Sequence, residues 1–148
     1  MIIRSASISD INDVVGIHLR AFEGFFLSML GPLFLRCLYK AFITGESGIL
    51  RVAVLDGIIV GFAAGTSDPH TFFYQLRRSK GLAFVFRAIP GMLRHPILVV
   101  KKLIHAAFYK GDSPVRLTNV ALLSSIAVLP GLTSKSIGKT LLTDFEGQ

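Results

Sequence analysis

LLSSIAVLPGLTSKSIGKTLL, residues 122–142, passes from one backbone pattern to another within 21 residues. Its first half is an apolar run rich in branched side chains, which suits a buried strand. It breaks at Pro130-Gly131 and resumes as a helix from about Ser136. A strand that becomes a helix through a tight loop leaves the first helical N–H groups without internal acceptors, and the positive end of the helix dipole faces the same loop. A phosphate or pyrophosphate is the natural occupant of such a place.

Two nucleotide-binding patterns compete for this loop. Gly138-Lys139-Thr140 has the form of a Walker A ending, but the first glycine of that motif would have to stand at position 133. Thr133 is there, and residues 130–132 lengthen the exit from the strand, so the P-loop pattern fits poorly. The second pattern is a resemblance. SSIAVLPGLTSKSIGKTLL resembles the acyl-CoA binding motif of the GNAT superfamily of N-acyltransferases, in which a strand ending in a V-x-P-type sequence precedes Gln/Arg-x-x-Gly-x-Gly/Ala and a helix. Here that pattern falls on Thr133, Ser136 and Gly138, and only the final glycine is kept. Ser136 still allows a backbone amide to face a phosphate, although its Cβ restricts φ and adds bulk near a ligand.

Composition sets the outer bounds. With 148 residues, 51% of them hydrophobic and 17% charged, the chain supports a single domain, 1–148, with its own core. A lone cysteine, Cys37, excludes an internal disulfide and reads as a packed thiol on a helix. The start MIIRSASISD lacks a signal-peptide core, so the expected compartment is a reducing cytoplasm. Lys and Arg outnumber Asp and Glu by 16 to 9, a net charge of +7, which favours an anionic partner: coenzyme A, nucleic acid or an acidic membrane surface. The longest uncharged stretch, residues 117–134, has the length of a membrane span but carries Asn119, Ser124, Ser125, Pro130 and Thr133 and alternates like a strand, so it is not read as a transmembrane helix. His70, His95 and His105 are scattered and lack metal-ligand spacing with Cys37 or the carboxylates, so no metal is expected.

In chain order, residues 2–4 are a short strand. Ser7 or Ser9 caps a helix whose Ile11, Val14, Val15, Leu19 and Phe22 keep helical spacing, with His18 at the edge of the stripe. Residues 23–26 interrupt the pattern, and Pro32 restarts a second helix through Phe34, Leu35, Leu38, Phe42 and Ile43. Residues 49–55 and 58–64, rich in valine and isoleucine, flank Asp56-Gly57 and read as a tight β-hairpin. Between about 68 and 117 lies a basic insertion. Arg77, Arg78 and Lys80 precede an apolar segment at 82–89, and Pro90, Gly91 and Pro96 separate it from 97–108, which carries Lys101, Lys102 and His105. This reads as two or three amphipathic helices. Their basic faces suit weak contact with an anionic membrane, with solvated packing helices as the plainer reading. They lack the interleaved aromatic and basic residues of a nucleic-acid platform, so no nucleic acid is expected.

Strand, two helices, hairpin, strand, phosphate loop, helix is the order of the N-terminal half of the GNAT fold, and DGIIVGFAAG also resembles that family's second and third strands. The resemblance implies an α/β fold: a GNAT-like mixed sheet, largely antiparallel, with helices on both faces and a helical insertion before the fourth strand, ending after the third core helix. It implies acetyl-CoA or another acyl-CoA as co-substrate, transferring to a small-molecule or protein amine. Pantetheine would lie along residues 125–128 with the amides of Ile126 and Val128 as donors, and the pyrophosphate over Thr133, Ser134, Lys135, Ser136, Ile137, Gly138 and Lys139. The two lysines suit the remaining phosphate charge. In that family the region between the first two helices helps line the acceptor pocket, which places Glu23, Phe25 and Phe26 at the substrate. Residue type alone makes the aromatics core and Glu23 a solvated cap. No catalytic acid or base is assigned, although Ser124 and Ser125 stand beside the expected thioester. The family's fifth strand and later elements find no counterpart before Gln148, so the fourth strand is expected to offer an open edge for a second copy, with activity weak. The alternative is a non-catalytic remnant that binds CoA, a protein partner or an anionic membrane surface.

Overall fold

The structure, a computed structural model, describes residues 1–94, 121–132 and 136–148. Strand β1 (Ile2–Ser5) leads into a single 3-10 turn at Ile8–Asp10. The Asp10 carboxylate accepts the Ser7 N–H at 2.7 Å and its hydroxyl at 2.8 Å, and also takes both Arg4 guanidinium nitrogens, at 2.7 and 3.0 Å. That clamp starts helix α1 (Ile11–Ala21), whose inner face buries Ile11, Val14, Val15, Ile17 and His18. A one-turn helix, α2 (Phe26–Met29), precedes Gly31 at φ +89°. Pro32 then opens α3 (Pro32–Thr44), where a missing N–H costs nothing.

Strands β2 (Gly48–Leu55) and β3 (Ile58–Thr66) form the expected hairpin. Asp56 at φ +50° and Gly57 at φ +82° make the left-handed two-residue turn that matches strand twist. Strand β4 (Leu122–Val128) completes a sheet of order β1-β2-β3-β4, antiparallel at every pairing. Alternation along the strands divides the core between two faces. Leu50, Val52, Phe62, Ala64 and Ala127 pack with α1 and α3. On the other face Ala53, Val60 and Ala63 pack beneath helix α5 (Ile137–Glu146) through Leu141 and Phe145. Arg51 of β2 fixes α5 by a two-pronged pair with Asp144, at 2.6 and 3.1 Å, and reaches Ser5 of β1 at 2.6 Å. The architecture is therefore the expected α/β one, a largely antiparallel sheet with helices on both faces and helical chain between β3 and β4.

One expected break is absent. Helix α4 (Pro69–Arg94) runs through Pro90 and Gly91, where the sequence predicts a separation between helices. A proline inside a helix removes one hydrogen bond and crowds the preceding turn. Packing offsets this: Ala88 buries against Leu30, and a side chain at Gly91 would collide with the backbone of Met29 and Leu30. The missing Cβ lets α4 dock on the end of α2, and that contact holds the helix together across Pro90. The second predicted helix of the insertion, 97–108, lies outside the described residues.

Candidate functional site

The loop from β4 to α5 sets the geometry. The Leu129 N–H donates to the Val60 carbonyl at 2.8 Å, and backbone groups alternate sides along an antiparallel strand. The Ala127 amide therefore also faces β3, while the amides of Ile126 and Val128 face the opposite edge. No strand among the described residues pairs with that edge. Gly131, at φ +97°, turns the chain after Pro130. Ser136 occupies the position before α5, and its carbonyl accepts the Thr140 N–H at 2.8 Å. The amides of Ile137, Gly138 and Lys139 thus precede the first helical bond and have no acceptor in their own helix. Among the described residues a Cβ on Gly138 would meet only Val128 Cγ2, at 3.9 Å, so the helix start abuts the end of the strand. Thr133, Ser134 and Lys135 lie outside the described residues.

A second feature was not legible in the sequence. Leu123 pairs with Gly65 and Ser125 with the adjacent Ala64, so Ser124 is an extra residue in β4, a β-bulge. Gly65 opposes it, and a side chain there would run into the Leu122 carbonyl and the Phe145 ring. The bulge brings both Ser124 and Ser125 to the wall of one open cavity of about 560 Å³. Its other walls are apolar: Leu27 from the α2 turn, Phe34, Leu38 and Phe42 from α3, and Phe73, Leu76 and Phe84 from α4. Arg77, exposed on α4, also lines it.

Behind Ser125 stands a buried polar chain. Tyr39 on α3 is fully buried, and its hydroxyl lies 2.6 Å from His18 Nδ1. Burial pushes the Tyr39 phenol well above its ordinary range, opposed by a hydrogen bond with the Ser125 side chain. Burial also pushes His18 down to about 4, so its ring is neutral at pH 7. Nε2 of His18 is buried and bonds none of the described residues. An orphaned lone pair costs less than an orphaned N–H, which places the proton on Nδ1. His18 then donates to the Tyr39 oxygen, and a hydrogen bond between Tyr39 and Ser125 carries the chain on to the cavity wall. Helical spacing put His18 at the edge of a stripe. Its partner lies 21 positions away, beyond the reach of a local pattern.

The residues between α1 and α3 are placed differently from one another. Glu23 and Phe25 are exposed, with Phe25 edge-on to Phe22, whereas Phe26 packs with the Leu30 and Ala88 cluster. Leu27 is the residue of this segment at the cavity wall. Cys37 is buried on α3 and accepts a hydrogen bond from Arg87 at 3.1 Å. His70 is exposed at the start of α4. Lys101 and Lys102 lie outside the described residues, as do His95 and His105. Among the described residues no helix is long and apolar enough to cross a membrane.

No family model matches the sequence, and no curated protein matches it. Among solved structures, one described as an acetyltransferase superposes with a TM-score of 0.50 over 99% of this chain and 73% of its own, at 16% identity. At that identity the likeness shows a shared fold, that of an acetyltransferase.

Proposed function

We propose that this chain transfers an acyl group from an acyl-CoA to an amine, as members of the GNAT superfamily do. The observation that carries the reading is the placing of β4 beside the start of α5: two outward amides, Ile126 and Val128, stand next to a helix start whose first three amides find no acceptor among the described residues. An extended amide-bearing chain such as pantetheine bonds the first set as an added strand would, and a pyrophosphate suits the second. Lys139 and the masking of phosphate charge by the dipole add to this, with Thr133, Ser134 and Lys135 completing the phosphate loop in the same reading. Ser125, steered by Tyr39 and His18, stands where a hydroxyl can donate to the thioester carbonyl as negative charge develops on it. The acceptor amine approaches from the cavity in its neutral form.

The test is calorimetric. Gly138→Asp adds a carboxylate where the backbone has room for a side chain, so the fold persists while phosphate binding is opposed. CoA affinity should fall at least tenfold relative to the parent, with Gly138→Ala in between. Equal affinities for parent and Gly138→Asp at matched helicity would overturn the placement.

A further inference from the structure

We propose that the cavity between α3, α4 and β4 holds a hydrocarbon chain carried by one of the two substrates, so that this acyltransferase selects an apolar acyl group or an apolar amine. The inference rests on the acyl-transfer reading and adds the substrate class. At about 560 Å³ the cavity is of a size that takes a small molecule, within the roughly 300–1,000 Å³ usual for such sites. Phe34, Phe73, Leu76 and Phe84 line it and are each only partly buried, while Leu38 behind them is buried. Phe34 and Phe84 meet edge to face at 5.1 Å, which joins α3 to α4 with a rigid aromatic wall. Among the described residues, apart from Arg77, exposed on α4, the polar side chains on its lining are the hydroxyls of Ser124 and Ser125, and both lie on β4.

The position of those hydroxyls identifies the occupant. The bulge at Ser124 opens the cavity on the strand whose next residues, Ile126 and Val128, carry the outward amides. A reacting group held at Ser125 therefore has its attached chain pointing into hydrocarbon. A polyamine or a sugar there would shed water without finding partners, which is costly, whereas each buried methylene is favourable. Gly81 supplies a probe of this space. It lines the cavity, none of the described residues lies within 4 Å of a Cβ built on it, and it sits inside α4, where leucine is the better helix former. Gly81→Leu should fold at least as well as the parent while filling the site.

The experiment titrates CoA, acetyl-CoA, butyryl-CoA, octanoyl-CoA and octylamine into parent and Gly81→Leu by calorimetry. Beside it, a thiol-release assay uses acetyl-CoA with ethylamine, butylamine and octylamine. Where the donor supplies the chain, affinity should rise about fourfold per added methylene until the cavity is filled, equivalent to about 0.8 kcal/mol each. Where the amine supplies it, kcat/KM should rise by that factor along the amine series instead. In either arm Gly81→Leu should bring the octyl-to-ethyl or octanoyl-to-acetyl ratio towards one. If CoA binds but neither series shows a chain-length gain, the hydrocarbon site is overturned and the acyl-transfer reading stands. If CoA fails to bind while octylamine binds the parent and not Gly81→Leu, the hydrocarbon site stands and the acyl-transfer reading falls.

Discussion

His18 sits where burial and hydrogen bonding pull against each other. It is 2% exposed, bonds Tyr39 through Nδ1, and leaves Nε2 bonding none of the described residues. The unfolded chain takes up the imidazole proton near pH 6.5 and the folded chain near 4, so the unfolded state binds more protons between those values. Stability is therefore full above about 6.5 and declines as acid moves towards 4, by on the order of 3 kcal/mol. Asp10 adds a separate loss lower down. Its hydrogen bonds with Arg4 and Ser7 hold its carboxyl well below 3.8, and that stability disappears as the pH falls beneath that value. His18→Gln keeps a hydrogen-bonding group against Tyr39 but cannot titrate. Its melting temperature should change little between pH 6.5 and 4, while the parent's falls by several degrees. Parallel slopes for the two proteins would show that His18 does not carry this dependence. The chemistry of Cys37 was readable from its isolation on a helical stripe, but that of His18 was not, because the sequence pattern reports which face a residue occupies and not what meets it from another helix.

Elements were legible where a local signal determines backbone shape. Asp56-Gly57 marks a turn because both residues tolerate positive φ, and Pro32 marks a helix start because the first turn needs no N–H from it. Pro90 misled because the same local rule was overruled by packing at Ala88 and Gly91, which a one-dimensional pattern cannot weigh. The bulge at Ser124 was hidden for a related reason: one extra residue in a strand changes register without changing composition. Two glycine substitutions separate these cases. Gly65→Ala should cost about 2–3 kcal/mol, since the new methyl meets both the Leu122 carbonyl and the Phe145 ring. Gly81→Ala should instead stabilise by up to ~1 kcal/mol, because α4 gains helix propensity in open space. Denaturant titration of the pair checks both signs. Tolerance of Gly65→Ala would mean that β4 and α5 are not pressed together at the bulge.

At the scale of the molecule, the order of elements carried more information than any single motif. Only one glycine of the resemblance's phosphate pattern survives, at Gly138, yet strand, helices, hairpin, strand and helix assemble into a four-stranded antiparallel sheet covered on both faces. That sheet places the amides of Ile126 and Val128 on an edge that no strand among the described residues covers, and the start of α5 at the end of the same strand. The cavity escaped the sequence because its walls come from residues 27 to 125, brought together by folding alone. In the proposed function an acyl-CoA lies along this edge with its phosphates on α5. Residue-resolved amide hydrogen exchange, with and without saturating CoA, tests it most directly. The amides of Ile126, Val128, Ile137, Gly138 and Lys139 should slow by at least tenfold on binding, while Ala127, already bonded to β3, should change far less. Protection that spares Ile126 and Val128, or that falls equally on Ala127, would contradict the claim.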